Sequence, residues 1–153
     1  MVLKAGDKAP PFVLATEKGE LSLFALAGKP FVLYFYPKDN TAGCTKEAID
    51  FSARRKKFTE LGVAVVGVSK DSLASHRKFA VQNQLTVILA SDPKAETAGA
   101  YGAWVEKSLY GKRSMGMERS TFLVDGKGVI RKIWRKVKVE GHADAVLAEA
   151  ATL

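Results

Sequence analysis

One cysteine in 153 residues removes any intrachain disulfide framework from consideration. The two histidines, His76 and His142, add so little to that single sulfur that a zinc centre is not expected, nor is any other metal or cofactor. No apolar run approaches the roughly 20 residues that a membrane-spanning helix requires. The opening MVLKAGDK lacks the apolar stretch of a secretory signal, so the expected location is cytoplasmic, with no membrane partner. Repeats, low-complexity segments and linkers are missing too, and glycine and proline are scattered singly. Residues 1–153 therefore read as one domain. Acidic residues are in deficit, 16 against 24 Lys and Arg, giving a net charge of +8. Two basic stretches, Arg54 to Lys57 and Arg131 to Lys138, raise the question of nucleic acid. The second has Ile133, Trp134 and Val137 set among its charges, as in a half-buried strand. Both read as solvated faces, and no nucleic-acid partner is expected. What the charge does imply is a field favouring anionic partners or substrates.

The order of elements suggests an α/β fold. A strand over Phe12 to Ala15, the turn Glu17-Lys18-Gly19-Glu20 and a strand near Leu21 form an N-terminal hairpin. Phe31 to Tyr36 is a continuous apolar run stopped by Pro37, which predicts a central strand buried on both faces. After a polar loop, a helix is expected from about Cys44 to Leu61. Ala48, Phe51, Phe58 and Leu61 mark its buried stripe, which Cys44 begins. Val63 to Val68 and Thr86 to Ala90 read as strands. They are separated by a helix capped by Asp71 or Ser72 and ending near Gln84, and a short helix spans Lys94 to Tyr101. Thr121 to Val124 and Val129 to Trp134 flank the hairpin signal Asp125-Gly126-Lys127-Gly128, and His142 to Ala151 forms a closing helix. The expected architecture is a thioredoxin-like central mixed sheet flanked by helices, with an N-terminal hairpin extension.

A lone cysteine is most simply a small buried hydrophobe. Cys44, however, follows a buried strand and a proline-ended turn, and it opens a helix whose first amides have no intrahelical partner. Those amides and the helix dipole favour a thiolate. Thiolate fraction alone is not enough for a fast nucleophile. For any thiol, lowering the pKa from about 8.5 to about 6 raises the thiolate fraction roughly thirtyfold. A Brønsted slope of about 0.4–0.5 returns roughly tenfold of that gain. A hydroxyl, aimed amides and a fixed cation would have to supply the rest by holding the electrophile and stabilising charge on its leaving atom.

Pro37-Lys38-Asp39-Asn40-Thr41-Ala42-Gly43-Cys44 resembles the peroxiredoxin motif P-x-x-x-T-x-x-C. The wider FYPKDNTAGCTKEAIDF is similar to the peroxiredoxin Q, or bacterioferritin-comigratory protein, subfamily. Met117 to Leu123 resembles that subfamily's arginine-bearing strand, and the likeness extends from GDKAPPF to WRKVKVEGHADAVL. The resemblance implies a thiol peroxidase acting on hydrogen peroxide and organic hydroperoxides. Cys44 would be its nucleophile, Thr41 the residue that offers its hydroxyl to the bound peroxide, Arg119 the fixed charge, and Pro37 the shield of the pocket. Glu47 would position Arg119.

The chain departs from the subfamily at its resolving cysteine. The two positions where such a cysteine would fall hold Ile49 and Ala80, and Ala42 replaces the proline before the motif glycine. The expectation is a one-cysteine cycle completed by an external thiol, whether thioredoxin, glutaredoxin or a low-molecular-weight thiol, in a monomer or weak homodimer. The rival is a redox-inert or chaperone-like thioredoxin-fold protein that keeps Cys44 for packing. Neither histidine shows an evident role.

Overall fold

The structure, a computed structural model, describes residues 2–153. Strands β1 (Val13–Thr16) and β2 (Gly19–Ser22) form the N-terminal hairpin, and a short 3-10 turn (Phe24–Leu26) leads to β3 (Phe31–Phe35). Helices α1 (Ala42–Ala53) and α2 (Arg55–Glu60) follow, then β4 (Ala64–Ser69), α3 (Leu73–Asn83), β5 (Ile88–Ser91) and α4 (Glu96–Ala100). The chain continues through β6 (Trp104–Leu109), β7 (Lys112–Met117), β8 (Ser120–Val124) and β9 (Ile130–Trp134) to α5 (His142–Ala150).

Seven strands make one mixed sheet in the order β2-β1-β5-β4-β3-β8-β9. β3, β4 and β5 are parallel, while β1, β8 and β9 join antiparallel. The apolar run at β3 has the expected cause. Phe31, Leu33 and Phe35 enter one core with Val66, Val68 and Phe122. Val32, Tyr34 and Tyr36 enter the other, with Cys44, Phe51, Phe58, Phe79 and Val146 from the helices. Alternation along β3 thus feeds two hydrophobic layers, and the second layer holds the cysteine.

Two features differ from the sequence-based expectations. The helix begun near Cys44 breaks at Arg54 (φ −104°, ψ 3°), where its amide turns back to the Phe51 carbonyl. Arg54 there reaches α5, its Nε lying 2.5 Å from Asp144, and Leu61 is 42% exposed and outside the stripe. The second difference is β6 and β7, which form a separate two-stranded hairpin that the periodicity did not predict. Its turn uses Tyr110 and Gly111, both at positive φ, a pairing suited to a two-residue hairpin turn.

Candidate active site

Pro37 has no N–H to continue the β3 ladder, and the chain leaves the sheet there. The loop to α1 passes Asn40 in the left-handed region (φ 64°) and reaches Thr41 in an extended conformation at the N-cap. The Thr41 carbonyl accepts from the Thr45 amide (2.9 Å) and hydroxyl (2.7 Å). Its hydroxyl donates to the Lys38 carbonyl at 2.8 Å instead of capping the helix. Because that bond uses only the hydroxyl proton, the oxygen keeps its lone pairs for another donor. Cys44, third residue of α1, is 1% exposed.

Arg119 occupies the short link between β7 and β8, where its carbonyl accepts from the Val137 amide at 3.0 Å. Its Nη2 lies 3.3 Å from Cys44 Sγ, and its Nη1 donates to Glu47 Oε1 at 2.6 Å. One planar guanidinium therefore holds the sulfur with one arm and a carboxylate with the other. Gly43 makes room for it, since a Cβ there would stand 3.2 Å from Nη2. Burial pushes the Glu47 carboxyl up to about 7, with Arg119 pulling against it. The Arg119 guanidinium meets the same kind of desolvation cost, but the Glu47 and Cys44 charges outweigh it and hold the group more firmly protonated. Both members of the pair are raised because Arg119 is 16% exposed and Glu47 only 1%, so the desolvation cost falls chiefly on the carboxylate. Among the described residues, Glu47 Oε2 and the Tyr34 hydroxyl are buried polar atoms without a partner, and both belong to the Cys44 side of the sheet.

The structure therefore brings Cys44, Glu47 and Arg119 into contact. It places Pro37 and Thr41 on the loop that introduces them. Ile49 lies on α1 and Ala80 on α3, so neither position supplies a sulfur. Both histidines, by contrast, are buried and bonded, and sequence reading missed them. His142 Nε2 shares a 2.8 Å hydrogen bond with Thr121 Oγ1, and burial together with the nearby Arg119 charge holds the ring down to about 4. The ring is consequently neutral at pH 7 and adds no second cation behind Arg119. His76 lies 2.8 Å from Asp39 through Nδ1 and 2.9 Å from the Ala90 carbonyl through Nε2. A usable signal existed for His76, three residues before Phe79 on the buried stripe of α3. Asp39, Asp71 and His76 cluster within 4.8 Å, but their polar atoms are turned toward one another and neighbouring donors.

A thioredoxin-like sheet, a buried cysteine in the first turn of a helix and a guanidinium on its sulfur define a thiol-dependent peroxidase. The family can be stated more closely, for residues 5–133 match the AhpC/TSA family, and the chain belongs to it. The chain is similar to peroxiredoxin Bcp of Bacillus subtilis, with 45% identity over 148 residues covering 96% of this chain and 94% of that one. It is also similar to the solved bacterioferritin comigratory protein of Xanthomonas campestris, whose alkyl peroxide reduction activity has been described. That match has a TM-score of 0.88 and 43% identity, covering 92% of this chain and 90% of the other. The solved PrxQ of Xylella fastidiosa, in a cysteine-to-serine mutant form, superposes with a TM-score of 0.92 at 34% identity, covering 99% and 98%.

Proposed function

We propose that residues 1–153 act as a single peroxiredoxin domain that reduces hydrogen peroxide and organic hydroperoxides through a one-cysteine cycle at Cys44. The observation that carries this reading is the 3.3 Å approach of Arg119 to Cys44 Sγ, with Glu47 holding the guanidinium from its other side. A peroxide entering the loop donates its hydrogen to the free lone pairs of Thr41 Oγ1, and Pro37 shields the pocket. The Cys44 thiolate attacks the nearer oxygen, a sulfur–oxygen bond forms and the oxygen–oxygen bond breaks. Arg119 stabilises charge moving onto the leaving oxygen, which takes a proton and departs as water or alcohol. The sulfur is left as sulfenic acid. An external thiol condenses with it, releasing water, and a second thiol displaces Cys44 as thiolate from the mixed disulfide.

A peroxide substrate and a thiol reductant follow from the class. Within it we assign the reductant to thioredoxin, glutaredoxin or a low-molecular-weight thiol, the location to the cytoplasm, and the assembly to a monomer or weak homodimer. No helix of the described residues is long and apolar enough to cross a membrane. Mass spectrometry after one equivalent of peroxide tests the cycle. A gain of one oxygen on Cys44, or an adduct with a small thiol, is expected. Rapid conversion to a Cys44–Cys44 linked dimer would place the resolving step in a second subunit and refute the one-cysteine scheme.

A further inference from the structure

Among the described residues, the segment Pro37–Thr41 is tied to α3 and to the turn after β4 by the hydrogen bonds of Asp39, beside a longer 3.4 Å contact of the preceding Tyr36 hydroxyl with His76 Nδ1. Asp39 donates from its amide to Asp71 Oδ2 at 2.8 Å. Its Oδ1 accepts from the Tyr36 hydroxyl at 2.6 Å, and its Oδ2 from the Ser75 hydroxyl and from His76 Nδ1, each at 2.8 Å. Among the described residues, Pro37, Lys38 and Asn40 make no side-chain hydrogen bond to another element, and the Thr41 hydroxyl gives its proton within the loop. Asp71 is fixed in turn by the Ser69 hydroxyl at 2.7 Å.

The partners of His76 define its charge. The Ala90 carbonyl can only accept, so Nε2 carries a proton. Asp39 Oδ2 already receives the Ser75 hydroxyl, and as a carboxylate oxygen it also accepts, so Nδ1 carries the second proton. Burial works against both charges, but the bond to Asp39 holds the ring above its ordinary value, and the bonds from His76, Tyr36 and Ser75 hold the carboxyl below its own. This favours imidazolium facing carboxylate, with exposures of 0% and 1%. Such a buried pair is costly to form and gives little net stability. Its value here lies in direction. One end is fixed to β5 in the parallel centre of the sheet, and the other grips the loop two residues before Thr41 and five before Cys44.

We propose that Asp39 and His76 are positioning residues for the reaction at Cys44. Their buried ion pair fastens the Pro37–Thr41 loop to α3 and β5, and so holds Thr41 and the start of α1 in the geometry that receives the peroxide. This rests on the peroxidase reading above and adds residues outside the P-x-x-x-T-x-x-C pattern to it. Loosening the loop degrades alignment of peroxide with sulfur, where errors of an ångström are costly, while leaving Cys44 at least as open to reagents that need no alignment.

Two amide substitutions cut the two halves of the clamp separately. In His76→Asn the side-chain nitrogen falls near the place of Nδ1 and keeps the bond to Asp39. In His76→Gln it falls near Nε2 and keeps the bond to Ala90 while releasing the loop. For each, the second-order rate of Cys44 oxidation by hydrogen peroxide is divided by the rate of alkylation by iodoacetamide. His76→Gln is expected to lower the ratio by about tenfold or more, and His76→Asn to stay within about threefold of the parent. Equal ratios in the two variants would mean that His76 serves stability alone, and would overturn the proposal. Should either variant fail to fold, Asp39→Ala removes the loop's half of the pair with His76 in place. It must then lower the ratio in the same way, and an unchanged ratio overturns the proposal. If the parent protein shows no oxidation by peroxide, the peroxidase reading fails, not the clamp. The alkylation rate alone then reports the loop, and it must rise in His76→Gln but not in His76→Asn.

Discussion

Replacing Arg119 by methionine keeps an unbranched apolar stem out to about the place of Nε and removes both arms of the guanidinium. Two contacts vanish, the 3.3 Å approach to Cys44 Sγ and the 2.6 Å bond to Glu47 Oε1. The second loss would ordinarily threaten the fold, because breaking a buried pair by removing one partner costs about 3–5 kcal/mol. Glu47 escapes much of that. Burial already pushes it up to about 7 with Arg119 pulling it down, so without the arginine it enters the core protonated. The fold is therefore expected to survive with a modest loss in Tm. The first loss falls on the reaction. A hydrogen bond to a charged group is worth about 1.5–3 kcal/mol, and each 1.36 kcal/mol is tenfold in rate. Deleting a donor aimed at developing negative charge costs about 100- to 1,000-fold in comparable sites. The second-order rate of Cys44 oxidation in a single turnover, measured on folded Arg119→Met, should fall by about a hundredfold. A fall of less than about tenfold would show that Arg119 is structural and would refute the reasoning.

Three further outcomes follow from neighbouring contacts. Glu47→Gln should remove a pH dependence of stability. The parent carboxyl titrates near 7 when folded against 4.5 in the reference state, so its contribution is complete below 4.5 and is lost as pH rises toward 7. The Tm difference between Glu47→Gln and parent should accordingly widen in favour of the variant from pH 4.5 to 7.5, and a constant difference would contradict this. Gly43→Ala places a Cβ 3.2 Å from Arg119 Nη2 and should slow Cys44 oxidation by about tenfold with little change in Tm; an unchanged rate would show that the guanidinium gives way freely. Tyr34→Phe removes a buried hydroxyl without a partner, so urea denaturation should show a neutral or stabilising effect of up to about 1 kcal/mol, and a loss beyond that would reveal a hidden partner.

The central strand was legible because burial on both faces leaves an unbroken apolar run, and the helix of Cys44 because one buried face leaves a repeating stripe. The β6–β7 hairpin was not. Lys107, Ser108, Leu109 and Lys112 through Met115 are all exposed, so no face imposes alternation on the sequence. The break at Arg54 coincides with a contact to Asp144 ninety residues away, which no local window contains. In the candidate site, Cys44, Thr41 and Arg119 were found through two short segments whose spacing is distinctive. Asp39 and His76 were not, for a buried polar pair 37 residues apart has no period, and a single aspartate in a loop looks like any other turn residue. Polar clamps are legible only after the fold has brought their halves together.

Peroxide consumption with an added dithiol, compared between the intact protein and Cys44→Ser, tests the account most directly. The second thiol of the reagent can clear the mixed disulfide, so the intact protein should turn over repeatedly. Cys44→Ser, with its serine beneath the same Arg119, should consume nothing above the uncatalysed background. Turnover by the variant, or none by the intact protein, would contradict the assignment of peroxide reduction to this sulfur.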